Sequence, residues 1–207
     1  MSSNPAPPAS SATAHPLIDR AQVGARLRAI RKSQKLTLKQ LSERSGVALS
    51  TLSKMELAQV SVSYEKLAAA ARAMSVDIAQ LFSPAKAQSD TAQPTVVSTA
   101  IDSAAGYSTG NYDYHPMAGD FPGRNMTPMY ARIFARELTQ FEDYIRHPGQ
   151  EFALVLSGRV RIQFETGESI TIGCREPAYF NSSVGHIYLA LGDDGADAEV
   201  MVVMSER

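Results

Sequence analysis

Three side chains in the C-terminal half have the types and spacing for metal or acid–base chemistry. His147 and Glu151 lie four apart across the Pro148-Gly149 bend of HPGQEFALVLSG, and His186 opens the run HIYLAL. Two imidazoles and one carboxylate can occupy one face of a metal ion and leave its other positions open, the donor set of non-haem iron oxygenases. The same groups can instead hydrogen-bond an organic ligand directly, or satisfy one another as a buried polar cluster. Tyr188 shares the strand face of His186, so it joins the candidate ligand-binding residues. A divalent metal (Fe, Zn, Ni or Mn) is the candidate cofactor. His115, in YDYHP, and His15 have no comparable setting.

For these groups to converge, the chain around them must be strands. MYARIFARE, FALVLSG, RVRIQF, SITI, AYF, HIYLAL and AEVMVV are short β-rich runs divided by Gly, Pro and Asp or Asn. Many short strands at close spacing predict a sandwich or barrel. If Glu151 points inward, so do Ala153 and Val155; if His186 does, so do Tyr188 and Ala190. Small side chains would leave room inside. In RVRIQF, Val160, Ile162 and Phe164 alternate with Arg159, Arg161 and Gln163, so one face is buried. The aromatic, polar stretch from Tyr107 to Tyr130 has no helical period and is expected to cross the barrel or a dimer interface, with Tyr112, Tyr114 and Tyr130 as core or interface residues.

The N-terminal half differs. Val23, Leu27 and Ile30, then Leu38 and Leu41, Leu52 and Met55, Leu67, Ala71 and Met74, and Ile78 and Leu81 recur at helical spacing, giving about five short helices. Residues 20–82 hold 11 Lys and Arg against four Asp and Glu, a net +7, leaving −8 for the rest of a chain whose total is −1. A basic module joined to an acidic one suits a polyanion on the first alone. Residues 1–18 and 83–95, rich in Ala, Ser and Pro, read as a disordered tail and a linker. No apolar run approaches the ~18 residues of a membrane span. The N-terminus has neither the basic start nor the apolar core of a signal peptide, and the single Cys174 excludes an internal disulfide, so a cytoplasmic protein is expected.

Within the helical half, Thr37-Leu-Lys-Gln40 matches a capping box and Gly46 permits a tight turn before a second helix from about Leu49 to Leu57, which together predict a helix-turn-helix. Ser50, Thr51, Ser53 and Lys54 occupy that helix's outer surface and can approach base edges and phosphates. The stretch TLKQLSERSGVALSTLSKMEL closely resembles the phage-repressor type of helix-turn-helix of Xre-family regulators, over roughly residues 21–82. The resemblance implies that the helix bearing Leu49, Ser50, Thr51, Ser53 and Lys54 enters the major groove, that Gln40 touches the DNA backbone, and that Arg31 pairs with Glu56. Ala48 stands where Ser or Thr usually caps the recognition helix, and Ala58 replaces a customary Gly.

HPGQEFALVLSGRVRI and GCREPAYFNSSVGH look like the two motifs of a cupin, over about residues 107–205. His147, Glu151 and His186 match cupin ligand positions, whereas Ile145 stands at the first histidine, Cys174 near a common Asp and Ala190 at a common Asn. Taken together, the expectation is an α + β multidomain protein: a disordered tail (1–18), a five-helix helix-turn-helix domain (19–82), a linker (83–106) and an all-β cupin, or double-stranded β-helix, barrel (107–207). This architecture resembles bacterial transcriptional regulators, homodimers that bind a double-stranded DNA operator and sense a small-molecule effector. The alternative is a mononuclear iron oxygenase or epoxidase, since the hydroxypropylphosphonate epoxidases share the His-x-x-x-Glu…His spacing.

Overall fold

The computed structural model of the protein describes residues 16–60, 62–82, 94–192 and 195–205. Five helices come first: α1 (Arg20–Ser33), α2 (Leu38–Ser45), α3 (Leu49–Glu56), α4 (Tyr64–Ala73) and α5 (Ala79–Phe82). Leu27, Leu41, Leu52 and Leu67 are buried among them. The capping box forms: Thr37 Oγ1 accepts from the Gln40 N–H at 3.1 Å, and Gln40 Oε1 accepts from the Thr37 N–H at 2.9 Å. Gly46 ends α2 at φ 71°, and α3 starts at Ala48 without a side-chain cap. Arg31 forks onto Glu56, Nε to Oε1 at 2.5 Å and Nη2 to Oε2 at 2.8 Å, tying α1 to α3.

Nine strands follow: β1 (Tyr107–Ser108), β2 (Tyr112–Pro116), β3 (Met126–Ile133), β4 (Gln150–Ser157), β5 (Arg159–Phe164), β6 (Ser169–Gly173), β7 (Pro177–Asn181), β8 (His186–Ala190) and β9 (Ala198–Ser205). They pair antiparallel in two sheets, one ordered β1-β2-β3-β9-β4-β7 and the other β6-β5-β8. Ala153 and Val155 of the larger sheet and Val160, Ile162 and Leu189 of the smaller meet in a common buried core. The expected alternation holds on β4 and β5, where Glu151, Ala153, Val155, Val160 and Ile162 are buried and Phe152 and Arg159 are exposed. On β8 all five residues are buried.

Two expectations change. YDYHP, the least regular run in the sequence, is the buried strand β2. One of its faces carries Tyr112 and Tyr114 toward the intersheet space, while on the other His115 Nδ1 bonds the Ala104 carbonyl at 2.8 Å, so neither face alternates with solvent. Residues 16–18, grouped with the tail, are fixed: Ile18 N–H donates to Gly106 O at 2.7 Å and Gly106 N–H to Pro16 O at 2.8 Å. Residues 1–15 of the expected tail and 83–93 of the expected linker lie outside the described residues.

The helical and strand modules share one continuous apolar core. Tyr64 stacks on Tyr114 with ring centroids 5.0 Å apart, Phe82 lies 5.8 Å from Tyr107, and the Val62 N–H donates to Tyr107 Oη at 3.1 Å. Arg124, in the strand module, clamps Asp77 through Nε at 2.9 Å and Nη2 at 2.6 Å. The Tyr107–Tyr130 stretch thus serves the contact between modules. No helix among the described residues is long and apolar enough to cross a membrane.

Candidate functional site

The three residues singled out by type and spacing converge. Glu151 is the second residue of β4, and His186 opens β8 on the opposite sheet. What joins them is an isolated bridge: Ile145 and His186 exchange backbone hydrogen bonds at 3.2 and 2.9 Å, and the His147 N–H donates to Ser182 O at 3.0 Å. The bend between His147 and Glu151 requires glycine. Gly149 has φ +95°, and a Cβ there would fall 1.9 Å from Ser205 O. Gly185 is equally confined, with Tyr144 Cβ only 2.7 Å from where its own Cβ would stand.

The result is a compact donor set. Glu151 Oε2 lies 2.9 Å from His147 Nε2 and 3.7 Å from His186 Nε2, and one ligand atom from each residue lies within 4.8 Å of the others. Glu151 and His186 are 3% and 2% exposed, which removes competing water. The Tyr188 O–H donates to Glu151 Oε1 at 2.5 Å, turning the other oxygen toward the imidazoles. Burial, with the Glu151 carboxylate next to it, pushes the Tyr188 phenol up, so it stays a donor at neutral pH.

His186 is set up as a neutral ligand. Its Nδ1 lies 2.9 Å from Val184 O, and a carbonyl only accepts, so Nδ1 carries the proton and Nε2 presents a lone pair to the site. Burial lowers its pKa and keeps the ring neutral. Two imidazoles and one carboxylate, brought together before any ligand arrives, are a donor set that fits a divalent cation.

A further device escapes the sequence. Glu165, at the end of β5, accepts from the Gly185 N–H at 2.7 Å through Oε1 and pairs with Arg146 through Oε2. One carboxylate therefore ties the side chain of Arg146, next to His147, to the backbone next to His186. Arg146 holds Glu165 below the usual carboxylate range. Nothing in the stretch FETG, residues 164–167, marks it, because both partners are distant in sequence.

The space around these donors is smaller than the small side chains of β4 suggest. An intersheet cavity of about 40 Å³ is walled by aliphatic side chains such as Ile133 and Val200 and roofed by Tyr64 and Glu65 from α4. That volume holds water or an ion, not a metabolite. A wider cleft of about 790 Å³ lies between α4–α5 and residues 119–125, and both spaces include Tyr64, Glu65, His147 and Met204 in their walls.

The second group of candidates lies on the helical module. Leu49 is 46% exposed, Ser50 and Lys54 are exposed, and Thr51 and Ser53 are half-buried along α3. Gln40 is exposed on α2 while its carbonyl closes the capping box. The Arg31–Glu56 fork, by contrast, is buried and points inward as a brace.

Residues 27–81 match the helix-turn-helix family HTH_3 and form a domain of that type. The whole chain is similar in fold to an HTH_3 family transcriptional regulator from Vibrio cholerae, at 18% identity over 91% of this chain and 97% of that one, with a TM-score of 0.61. It also aligns with hydroxypropylphosphonic acid epoxidase from S. wedmorenis at 17% identity over 89% of this chain and 97% of that one, with a TM-score of 0.46. Comparison with curated proteins gave no match.

Proposed function

We propose that the protein is a sequence-specific DNA-binding transcriptional regulator of the cytoplasm, in which residues 19–82 read DNA and residues 107–207, a cupin barrel, sense a small molecule. The observation that carries this reading is the helix-turn-helix of residues 27–81 with the polar outer face of α3 left exposed on a module of net charge +7. A face with Ser50 and Lys54 exposed and Thr51 and Ser53 half-buried can meet base edges, and the basic field draws the module to phosphates. The active species is a homodimer on half-sites about one DNA turn, ~10 bp, apart.

The test is operator binding after genomic footprinting has supplied the operator. Lys54→Ala should weaken binding and lower the salt slope by ~1 if Lys54 meets a phosphate, or relax base preference if it reads a base. Unchanged affinity and specificity in a folded Lys54→Ala protein would remove Lys54 from the interface.

His147, Glu151 and His186 form the sensing site, with a divalent cation in the small cavity and an organic effector in the adjoining cleft. When bound, the cation supplies Lewis acidity and open positions for an effector oxygen. Tyr188 orients Glu151, and the Val184 carbonyl fixes the His186 tautomer. The same two-imidazole, one-carboxylate set supports a second reading, a mononuclear iron oxygenase or epoxidase. Oxygen consumption by the Fe(II)-loaded protein in the presence of a substrate, with no genomic footprint, would decide for the enzyme.

A further inference from the structure

Among the described residues, Glu65 is the one acidic side chain of the helical module that lines the triad's cavity. It occupies the first turn of α4, lines both the intersheet cavity and the wider cleft, and keeps partial access to solvent through the latter. Among the described residues no Lys or Arg forms an ion pair with it. Outside its own turn, the titratable groups that act on it most are His147 and Glu151, which share its cavity. A carboxylate placed out of bulk water beside a second carboxylate is unfavourable unless a positive charge joins them.

We infer that Glu65 supplies the second negative charge for a divalent cation at His147, Glu151 and His186, so that occupancy of this site latches α4 onto the strand module. The inference rests on the cation reading of the triad proposed above. Glu65 and Glu151 line the same small cavity as the two imidazoles, so a divalent cation there would meet two carboxylates and no fixed positive charge. In the small cavity Glu65 is faced by Tyr64 beside it, Tyr112 and Tyr114 on β2, Glu151 on β4, His147 before β4, and His186 and Tyr188 on β8, none with a fixed positive charge; on the cleft side stand Arg72, Asp120 and Arg124, the last already clamped on Asp77.

The latch has a route to DNA. α4 packs on α2, α2 packs on α3, and α1 packs on α3, so a change in how firmly α4 is held moves with the reading surface rather than apart from it. Tyr64, stacked on Tyr114, and Asp77, clamped by Arg124, fix α4 and the segment after it, which leaves Glu65 as the part of the interface that responds to charge. Linkage then requires reciprocity: whatever holds α4 down tightens the cation, and the cation tightens α4 by the same factor.

The test uses the full chain with Zn²⁺ or Mn²⁺ alone as probe, in wild type, Glu65→Gln and Glu151→Gln, all first shown to be folded by circular dichroism. Cation affinity is read by calorimetry, and hydrogen exchange reports protection of α4. The expected result is that the cation protects α4 in wild type, that Glu65→Gln binds about tenfold more weakly, within the usual range of coupling between linked sites, and loses that protection, and that Glu151→Gln binds no cation. Wild-type affinity in Glu65→Gln, or α4 protection that is absent in wild type or survives in Glu65→Gln, would overturn the latch and leave the cation site standing. Failure of wild type to bind either cation would overturn the site and the latch together.

Discussion

Two buried glutamates divide the molecule by what has been done with their charge. Glu56, 9% exposed at the end of α3, has a guanidinium on both oxygens, and the same Arg31 donates through Nη1 to Leu36 O at 2.7 Å. Glu151, 3% exposed at the start of β4, has a phenol on one oxygen and an imidazole on the other, with no guanidinium or ammonium among the described residues. The first is a closed arrangement that braces a helix. The second is satisfied by neutral hydrogen-bonding groups rather than a fixed positive charge, as the cation site proposed above requires.

The largest effect should come from breaking the closed arrangement. Arg31→Met strands the Glu56 carboxylate in the helical core and should cost about 3–5 kcal/mol, read as a lower urea midpoint for the helical module together with loss of DNA binding. Glu151→Gln, measured without added cation, should cost less than about 1 kcal/mol or stabilise, because an amide can still accept from Tyr188 and sheds an unmatched charge. Equal losses in the two variants would erase the distinction. The clamp between modules falls in between: Asp77→Asn weakens the charge-assisted bonds to Arg124 and should cost about 1–3 kcal/mol, seen as earlier separation of the modules on heating.

The two regions also differ in how much their sequence disclosed. Thr37, Gln40, Gly46 and the Leu27, Leu41 and Leu52 spacing specify the helix-turn-helix locally, since capping and helical periodicity act within a few residues, and the Arg31–Glu56 pairing implied by the family resemblance is present. The triad was legible from residue types because a bend at Pro148-Gly149 separates His147 from Glu151 at the start of β4 and a turn at residues 183–185 precedes His186 at the start of β8. Its surroundings were not. Glu165 ties Arg146 to Gly185 across the turn between sheets, Tyr112 and Tyr114 sit on a strand without alternation, and Glu65 arrives from another module. All three depend on contacts between residues remote in sequence, for which no local period exists.

Glu65 offers a way to sharpen the contrast through pH. Burial raises its pKa in the folded protein, so folding takes up a proton in the window above the ordinary carboxylate value. By linkage its contribution to stability is fully present below the unfolded pKa and is lost as pH rises through the folded one. Cation-free Glu65→Gln lacks that loss. Its melting temperature should therefore match wild type near pH 4 and exceed it at pH 7, a difference that a saturating cation should reduce. A gap that is constant across this range would mean that Glu65 is not desolvated.

The smallest effects concern the ends of α3, where local rules are broken. Ala48 has the extended backbone of a helix cap, φ −54° and ψ 138°, but no side-chain acceptor, and Ala58 adopts φ +55° just beyond the helix. Ala48→Ser should add about 1 kcal/mol by accepting from an orphan N–H of the first turn. Ala58→Gly should add about 1 kcal/mol by removing the Cβ strain of a left-handed residue. The two sites lie at opposite ends of an eight-residue helix and share no partner, so their gains should sum. Because Arg31 pins α3 at Glu56 whatever the caps do, the same pair of substitutions placed in Arg31→Met should recover about 2 kcal/mol of that variant's loss without restoring the brace. Urea titration of the four proteins reads this directly. A recovery well above the sum would show that the caps and the brace hold α3 cooperatively, and no recovery would show that α3 in Arg31→Met is no longer a helix for the caps to end.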